Sequence, residues 1–447
     1  MKSDDGSAPV LRGLPILGCL PELRRDRLAL LRRAAARGDF VRLPIPGRTI
    51  FVASSPETAG AVLRTQAGKF RKFFALSELS RPMLGGGLLT AEGDAHKRQR
   101  KIIAPGLNKK EVVHYADTMV RQVADLEASW RDGTVVDVLA EMSRLTVGIA
   151  SETMFGTDES GHAAAINEAV ETTLDYIANG VASLVRLPLS WPLPRHRRMR
   201  RAVAELDRIV YGVIAARRRG PPSRDDILGM LLAAQDDDDG TALSDAQVRD
   251  EVATLLVAGY ETTASALTWT FYLLGRHPQI AERLFDEVRA QLGDRQPTVA
   301  DLSGMPFAMQ VFKEAMRLYP PGYMVGREAL EDVEIEGHRV PKGSTVLVNI
   351  YGLHRRPDYF PDPDRFDPDR FEPEREKALP RGAFLPFIDG PRVCIGYHFA
   401  MMEAHLLLTH LVNRVELVPI SDAAVPPLPR VTLRPSRAVQ MRVAQRS

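Results

Sequence analysis

The sequence predicts a mainly α-helical fold with small β-sheets, and two kinds of residue pattern support this. Apolar residues recur at three- and four-residue spacing over much of the chain, for example in 201–218, 279–292 and 397–414, which predicts amphipathic helices. Two segments, 40–55 and 331–350, instead alternate apolar and polar residues around glycine and proline turns, which predicts β-hairpins.

The composition is that of a globular protein with a large core. Of the 447 residues, 45% are hydrophobic and 26% are charged, a length that fits one large domain or two to three ordinary ones. The net charge of +2 argues against nucleic acid as the main partner. Only two cysteines are present, Cys19 and Cys394, so we expect no disulfide framework and a reducing, cytoplasmic setting. Proline and glycine interrupt the N-terminal apolar residues, so we expect neither a signal peptide nor a membrane anchor.

A long apolar helix is predicted in the middle of the chain. Ser244 and Gln247 form a capping-box pattern at its start, and the sequence GRHP supplies stop signals near residue 275. The segment 252–275 is long enough to span a bilayer, but its one charge, Glu261, would then lie in the membrane. Such a position costs roughly 3 kcal/mol, so we interpret the segment as a helix buried in a large helical protein.

The buried glutamate of this helix has small and polar neighbours. Gly259 allows another group to approach the helix closely, and Leu255, Ala258 and Thr262 share one helical face. The Thr262 hydroxyl is placed to hydrogen-bond the Ala258 carbonyl, which tends to bend a helix. A bend beside an acid could house a small ligand and relay protons. The alternative is a core helix with a packing glycine and a satisfied Glu261.

Two charged patterns elsewhere have both a functional and an ordinary interpretation. Glu314 and Arg317 lie at i, i+3 spacing and are placed to pair, although most such pairs are surface contacts of little energetic weight. His96 and Arg100 share one face of a second predicted helix, which is alternatively an ordinary basic amphipathic helix.

Cys394 lies in a turn between glycines, beside a positive charge. Gly390 and Gly396 free backbone N–H groups there, and Arg392 is close in sequence, so a thiolate would be stabilised. A thiolate is a soft ligand for a transition metal. One cysteine is too few for a zinc or iron–sulfur site, but it suffices as the single axial ligand of a haem iron.

The sequence around this cysteine resembles the haem-binding signature of the cytochromes P-450. That signature, Phe-x-x-Gly-x-Arg-x-Cys-x-Gly, is matched by FIDGPRVCIG through Phe387, Gly390, Arg392, Cys394 and Gly396.

Three further motifs of that family are similar in order and spacing. They are AGYETT at 258–263 for oxygen activation, Glu314-x-x-Arg317, and FDPDRF at 366–371, in which the family places Arg370 against the Glu–Arg pair. Two departures stand out. His96 takes the place where many members have tryptophan, and Ile388 and Asp389 replace small residues after the signature phenylalanine.

The resemblance implies one domain over 1–447, with a short flexible segment at about 1–10. In the implied fold, haem b is buried between the long central helix and the cysteine loop. Cys394 is then the iron ligand, with Phe387 packed near the sulfur and the Gly396 amide hydrogen-bonded to it. Ala258 and Gly259 would lie beside the haem, and the implied partners of its propionates are His96, Arg100, Arg327 and Arg392.

The resemblance also implies an activity, a monooxygenase that inserts one oxygen atom of O2 into a C–H or C=C bond. Glu261 and Thr262 would manage the protons that oxygen reduction consumes. We expect a lipophilic substrate from secondary metabolism, such as a terpenoid, fatty acid, steroid or macrolide, and a mobile entrance loop at 85–87. The substrate contacts implied by the family are Phe73, Phe74, Leu88, Leu255, Ala258, Tyr323, Met324 and Val325.

Electrons are expected to come from NAD(P)H through separate proteins, a ferredoxin and its reductase or a flavodoxin. The segment after Cys394 is too short for a redox domain, and the basic cluster Lys97, Arg98 and Lys101 would suit an acidic ferredoxin. We expect a monomer. Two alternatives remain, an atypical oxidation (ring coupling, desaturation or peroxygenase chemistry) and a haem sensor without enzymatic activity.

Overall fold

The computed structural model describes residues 8–157, 160–181, 187–220, 226–235 and 242–446. Most of the segment predicted to be flexible, residues 1–7, lies outside the described residues. The α-helices of the described part are α1 Leu20–Arg25, α2 Arg27–Arg37, α3 Pro56–Gly60, α4 Arg81–Leu84, α5 Gly93–Ile103, α6 Lys109–Val112, α7 Ala116–Ser129, α8 Val138–Phe155, α9 Ala163–Val181, α10 Pro194–Arg219, α11 Ile227–Ala233, α12 Asp245–Arg276, α13 Pro278–Leu292, α14 Pro306–Leu318, α15 Ile350–Leu353, α16 Pro373–Ala378 and α17 Tyr397–Arg414.

The strands are short and form small sheets, as the sequence predicts. They are β1 Phe40–Ile45, β2 Arg48–Ala53, β3 Phe70–Lys72, β4 Val135–Asp137, β5 Val325–Ala329, β6 Val333–Ile335, β7 His338–Val340, β8 Thr345–Val348, β9 Val415–Pro419, β10 Pro427–Pro429, β11 Leu433–Pro435 and β12 Gln440–Gln445. The larger sheet has the order β1-β2-β8-β5-β3, and β4-β12-β9, β6-β7 and β10-β11 form the others. The hairpin predicted in 40–55 is the β1–β2 pair, and that predicted in 331–350 is the β6–β7 pair followed by β8.

Helix α12 is the central element of the helical body. It begins where the sequence predicts, with Ser244 and Gln247 forming the reciprocal capping box. It packs against α8, α10, α14 and α17, and most of its apolar residues belong to the largest buried apolar cluster. Burial by protein therefore accounts for its apolar sequence. Among the described residues, no helix combines the length and apolarity needed to cross a membrane.

The middle of α12 departs from this burial. Ala258 is exposed, and Val257, Gly259 and Thr262 are half-buried, although the residues on either side of this stretch are buried. A helix in the centre of a protein exposes such a stretch only when it borders an internal space. That space separates α12 from the loop that carries Cys394.

Candidate active site

The internal space is a cavity of about 400 Å³, a size typical of small-molecule sites. Its wall is largely apolar. The α12 residues that line it are Thr254, Leu255, Val257, Ala258, Gly259, Glu261, Thr262, Thr263 and Ala266. The cysteine loop and the start of α17 contribute Pro386, Phe387, Ile388, Arg392, Val393, Cys394, Ile395, Gly396, Phe399 and Ala400. The sequence motifs at 258–263 and around Cys394 therefore face one cavity, although they lie far apart in the chain.

The cysteine loop is held by backbone contacts that need its glycines. The Cys394 amide donates a hydrogen bond to the Phe387 carbonyl at 3.0 Å, which closes the loop. Gly390 has a φ of 78°, and a Cβ there would collide with the Leu63 carbonyl oxygen. The loop therefore docks backbone to backbone on the segment around Leu63, where no side chain fits at Gly390.

Cys394 lies deep in the protein, and its accessible surface faces the cavity. Burial raises the pKa of its thiol, and the backbone N–H of Gly396 and the charge of Arg100 lower it only in part. The Gly396 amide and Arg100 therefore stabilise the thiolate as expected, but by less than burial destabilises it. A metal cation at the sulfur would reverse this balance, because coordinated thiols are deprotonated. In the described part of the chain, three or more His, Cys, Asp or Glu side chains never cluster as metal ligands, so a metal here would rely on Cys394 and a non-protein ligand set.

Cationic side chains gather at one side of the cavity. His96, Arg100, Arg327 and Arg392 all line it. Arg100 donates to the Val393 carbonyl at 2.8 Å, which joins α5 to the cysteine loop. Arg392 forms a two-pronged ion pair with Glu92, whose carboxyl pKa is lowered by Arg392 despite burial.

Lys72 joins this cluster and was missed by sequence reasoning. Its ammonium donates to the carbonyls of Leu88 at 2.9 Å and Ala91 at 2.6 Å, and its side chain lines the cavity. Burial and then the charge of Arg392 lower its pKa to about 7. Lys72 ends the short strand β3, FRK, two residues after the apolar Phe70. The alternation of a strand places Lys72 on the same buried side as Phe70, and this spacing was the available signal.

The cluster as a whole carries more positive than negative charge. Burial and then Arg392 lower the pKa of Arg327 to about 10, and burial with Lys72, Arg392 and Arg100 lowers that of His96 to about 4. Such shifts mean that the cations repel one another in a partly desolvated site. A bound anion on the cavity side would relieve this repulsion, and a neutral His96 would still donate an N–H.

On the α12 side, Thr262 and Glu261 lie in different surroundings. The Thr262 hydroxyl donates to the Ala258 carbonyl at 2.8 Å, the bond expected from their spacing. The Glu261 carboxylate accepts from the Thr432 hydroxyl at 2.6 Å, and Arg434 Nε lies 3.8 Å from it. Burial raises the pKa of Glu261, and Arg434 and Thr432 oppose this. Sequence reasoning missed Thr432 and Arg434, because their contact with Glu261 exists only in the tertiary structure.

Comparison with known proteins assigns this arrangement to a family. The family model described as cytochrome P-450 matches residues 8–442. The chain belongs to the cytochrome P-450 family. It is accordingly a monooxygenase of a family that uses haem and O2.

Relatives of this cytochrome P-450 include three Streptomyces proteins. Cyclooctatin synthase of Streptomyces melanosporofaciens is 37% identical, over 94% of this chain and 92% of the relative. Cyclooctat-9-en-7-ol 5-monooxygenase of the same organism is 35% identical, over 93% of this chain and 90% of the relative. Pentalenene oxygenase of Streptomyces avermitilis is 32% identical over 99% and 98%.

Solved structures show the same architecture. The haem domain of cytochrome P450DA is 27% identical, with a TM-score of 0.87 over 99% of this chain and 98% of that one. The retinoic acid bound cyanobacterial CYP120A1 is 28% identical, with a TM-score of 0.86 over 98% and 99%.

The Glu314–Arg317 pair of this cytochrome P-450 is fully buried, which rules out the surface interpretation. Arg317 Nε and Nη2 donate to the Glu314 carboxylate at 2.6 and 2.8 Å, and both side chains are 0% exposed. Arg317 also donates to the carbonyls of His354 at 2.8 Å and Pro363 at 2.7 Å. Arg370 Nε lies 3.4 Å from Glu314, so the segment at 366–371 is joined to the pair.

The structure separates the residues expected to contact substrate into two groups. Leu88, Leu255, Ala258 and Val325 line the cavity. Phe73, Phe74, Tyr323 and Met324 are not among its lining residues, so their contact with substrate stays a prediction. The Phe73 and Phe74 rings pack against each other in a separate apolar cluster. Tyr323 is fully buried, and its hydroxyl accepts from Arg27 and donates to the Arg430 carbonyl.

The glycine run at 85–87, expected to be a mobile entrance loop, is instead fastened to α12. The Gly86 amide donates to the Asp250 carboxylate at 2.7 Å, and the nearby Leu88 amide donates to Glu251 at 3.0 Å. Cβ atoms on Gly85 and Gly87 would collide with Asp250. The glycines therefore serve close packing of the loop on α12.

Proposed function

We propose that this cytochrome P-450 inserts one oxygen atom of O2 into a C–H or C=C bond of a terpenoid. The observation that carries the proposal is that the Cys394 sulfur and the Glu261–Thr262 pair border one apolar cavity. The similar Streptomyces proteins, named for cyclooctatin, cyclooctat-9-en-7-ol and pentalenene, support a terpenoid.

The residues of the cavity fit haem b. Cys394 would ligate the iron, Phe387 and Gly396 would surround the sulfur, and Ala258 and Gly259 would leave room beside α12. The excess positive charge of the cationic cluster suits the two carboxylates of the propionates. Lys72, Arg100, Arg327 and Arg392 would supply positive charge there, and the neutral His96 would donate an N–H. When bound, a thiolate-ligated haem supplies the chemistry that cleaves the O–O bond.

The protein's own contribution is to hold the sulfur, exclude water and deliver protons. The Gly396 amide hydrogen-bonds the Cys394 sulfur and tunes it as a ligand. Thr262 presents a hydroxyl at the cavity wall, where a proton is needed. Glu261 holds an ionisable carboxyl next to it in sequence. Its partner Arg434 also contacts Glu171, which is exposed at the protein surface.

The cavity wall suits a hydrocarbon-rich substrate. Most of the residues that line it are apolar, so a terpenoid would lose little hydration energy on binding. Aliphatic lining residues outside α12 include Leu76, Met83, Leu84, Met154, Val170, Leu174 and Ile177.

The proposal is tested first by the absorption spectrum of the reduced protein with carbon monoxide. A strongly red-shifted Soret band in wild type that is lost in Cys394→Ala establishes the thiolate-ligated haem. A band at the position of histidine-ligated haem would contradict the assignment of Cys394.

Turnover is tested with pentalenene and cyclooctat-9-en-7-ol, using NADPH, a ferredoxin and its reductase. A product heavier by one oxygen atom supports the proposal. Loss of two hydrogens would instead indicate desaturation or ring coupling, and product formed from peroxide without NADPH would indicate peroxygenase chemistry. Thiolate-haem without product from either terpenoid would overturn this substrate assignment.

A further inference from the structure

The carboxylate of Glu261 is held by residues that lie far from α12 in the sequence. Its hydrogen-bond donor is Thr432, which lies between β10 and β11 and also lines the cavity. Arg434, on β11, places Nε 3.8 Å from the same carboxylate oxygen. Because the Glu261 side chain is only 6% exposed, these two residues replace the water that an exposed glutamate would have.

Arg434 also contacts a second carboxylate, on α9. Its Nη2 donates to Glu171 at 3.1 Å, and the Glu171 side chain is 49% exposed. Arg434 therefore bridges a buried acid beside the cavity and an acid at the protein surface. Its Nη1 is buried and has no hydrogen-bond partner among the described residues. The guanidinium therefore keeps one nitrogen that neither Glu261 nor Glu171 binds.

The β10–β11 hairpin is fixed from both sides. On one side, Arg27 Nη1 donates to the Pro429 and Arg430 carbonyls at 3.2 Å. On the other side, Arg430 pairs with Asp175 of α9 at 3.0 Å, one helical turn after Glu171. The hairpin can therefore hold the side chains of Thr432 and Arg434 in defined places. Its contact with α9 is an ion pair.

Helix α9 is at the same time a wall of the cavity. Val170, Thr173, Leu174 and Ile177 line the cavity from α9, and Glu171 lies on the same helix. A ligand that displaces α9 would change the distance between Glu171 and Arg434. The pull of Arg434 on Glu261 would change with it.

We propose that Thr432 and Arg434 are positioning residues for Glu261, and that Arg434 couples the charge state of Glu261 to the position of α9. This inference rests on the proposed function, in which Glu261 helps to deliver protons to the cavity. Thr432 fixes where the carboxylate lies. Arg434 keeps it ionisable in a buried site, and Glu171 competes for Arg434.

The charges around Glu261 predict in which direction its pKa should change when each neighbour is removed. The groups that face it are Arg434 and Arg430, Glu171, and the buried Tyr260 hydroxyl. Burial raises the pKa of Glu261, Arg434 lowers it, and Glu171 raises it. Removing the Arg434 charge and removing the Glu171 charge must therefore move the titration of Glu261 in opposite directions.

The test is infrared absorption of the protonated carboxyl group in the holoenzyme as a function of pH, with Glu261→Gln identifying the band of Glu261. We expect the band of Arg434→Gln to persist to higher pH than in wild type, and that of Glu171→Gln to vanish at lower pH. Arg430→Gln is the matched control, because it removes the neighbouring ion pair to α9 and leaves the Glu261 contacts intact. Its shift should be the smallest of the three.

Thr432 is tested through coupling, measured as product formed per NADPH with the terpenoid that wild type oxidises. Thr432→Val, which keeps the shape and removes the donor, should lower the yield, and Thr432→Ser should restore it. The red-shifted carbon monoxide band should remain in both variants, since Cys394 is untouched. A misfolded variant would lose that band, which separates structural loss from loss of positioning.

The proposal is overturned if Arg434→Gln and Glu171→Gln leave the Glu261 band at its wild-type pH, if both shift it in one direction, or if Arg430→Gln shifts it as far. A coupling yield unchanged in Thr432→Val overturns the role of Thr432. Failure of the proposed function has a different signature. The wild type would then form no oxygenated product, while the infrared comparison would still report on Glu261.

Discussion

The Thr262 hydroxyl bonds within helix α12 and also faces the cavity. The hydroxyl donates to the Ala258 carbonyl at 2.8 Å in the middle of α12, where the helix borders the cavity. Back-bonding of this kind is weak enough to be exchanged for another partner. Thr262 therefore holds a donor at the cavity wall without exposing an unsatisfied group.

Removing this hydroxyl should uncouple electron use from product. In Thr262→Ala we expect product per NADPH to fall by roughly tenfold or more, in line with the size of general acid–base effects, with peroxide rising to match. Thr262→Ser should keep most of the yield. Thr268→Ala is the control, because Thr268 makes the same bond to the Ala264 carbonyl but lies outside the cavity wall. An undiminished yield in Thr262→Ala would contradict the proton-delivery role.

Glu403 is a second buried acid of a different kind. It is 0% exposed on α17, and its two carboxylate oxygens have no hydrogen-bond partner among the described residues, because the nearby Thr263 hydroxyl donates to the Gly259 carbonyl. Burial raises its pKa from 4.5 to about 8. The folded protein therefore keeps a proton that the unfolded chain releases.

This proton makes stability depend on pH with a definite sign. Between pH 4.5 and 8 the folded state binds more protons at this site, so Glu403 lowers the free energy of unfolding as pH rises. Glu403→Gln should gain thermal stability over wild type progressively across this range, with a constant difference above it. The exposed Glu168→Gln should show no such trend. Midpoints of thermal unfolding at several pH values measure both, and a flat difference for Glu403→Gln would contradict the assignment.

At the scale of elements, the cysteine loop depends on its fit to the preceding segment. Gly390 combines a φ of 78° with close approach to the Leu63 carbonyl, and Asp389 pairs with Arg64 at 2.8 Å. Asp389, which departs from the small residue common in the family, therefore adds an ion pair to the docking of the loop. The loop position in turn sets the position of the Cys394 sulfur.

Gly390→Ala should displace the loop and lower the haem content of the purified protein. Gly343→Ala is a matched control, since Gly343 has a φ of 79° with no heavy atom within 4 Å of the added Cβ. Both variants carry the backbone strain of a left-handed alanine, about 1–2 kcal/mol, but only Gly390→Ala adds a collision. Haem absorbance relative to protein absorbance compares them. Equal occupancy in the two variants would contradict backbone docking of the loop.

The buried pair of α14 offers a similar comparison. Arg317→Met leaves Glu314 buried without its main partner, a loss that typically costs about 3–5 kcal/mol. Arg144→Met removes an exposed pair with Glu141 at the same i, i+3 spacing and should have little effect. Denaturant unfolding measures the difference. Equal losses would mean that Glu314–Arg317 contributes no more than a surface pair.

At the scale of the whole molecule, α5 connects the surface to the active site. Lys97 is 78% exposed on this helix, and Arg100, on the same helix, donates to the carbonyl next to Cys394. A partner that binds at α5 would lie on the side of the molecule nearest the thiolate. The basic cluster of Lys97, Arg98 and Lys101 therefore remains our proposed ferredoxin site.

Reversing one charge of this cluster should slow reduction by an acidic ferredoxin. We expect Lys97→Glu to lower the association rate at low salt, with the difference shrinking as ionic strength rises, because exposed charges are screened. Lys110→Glu, an exposed lysine on α6, is the control. Stopped-flow reduction measures both, and equal rates for the two variants would place the ferredoxin site elsewhere.

The sequence by itself determined those features that depend on local order. The caps of α12, the hairpin at 40–55 and the i, i+3 spacing of Glu314 and Arg317 follow from neighbouring residues, and the structure contains all of them. The cysteine signature likewise identified the family, because its fixed residues serve one loop and lie within ten positions.

Only the tertiary structure decided which remote residues meet. Lys72 joins the cationic cluster, Thr432 and Arg434 contact Glu261, and Tyr323 turns away from the cavity to bond Arg27. The reason is physical. Burial removes water from a polar group, and the replacement partner is whichever chain segment the fold brings within hydrogen-bond distance, which neither periodicity nor a local motif records.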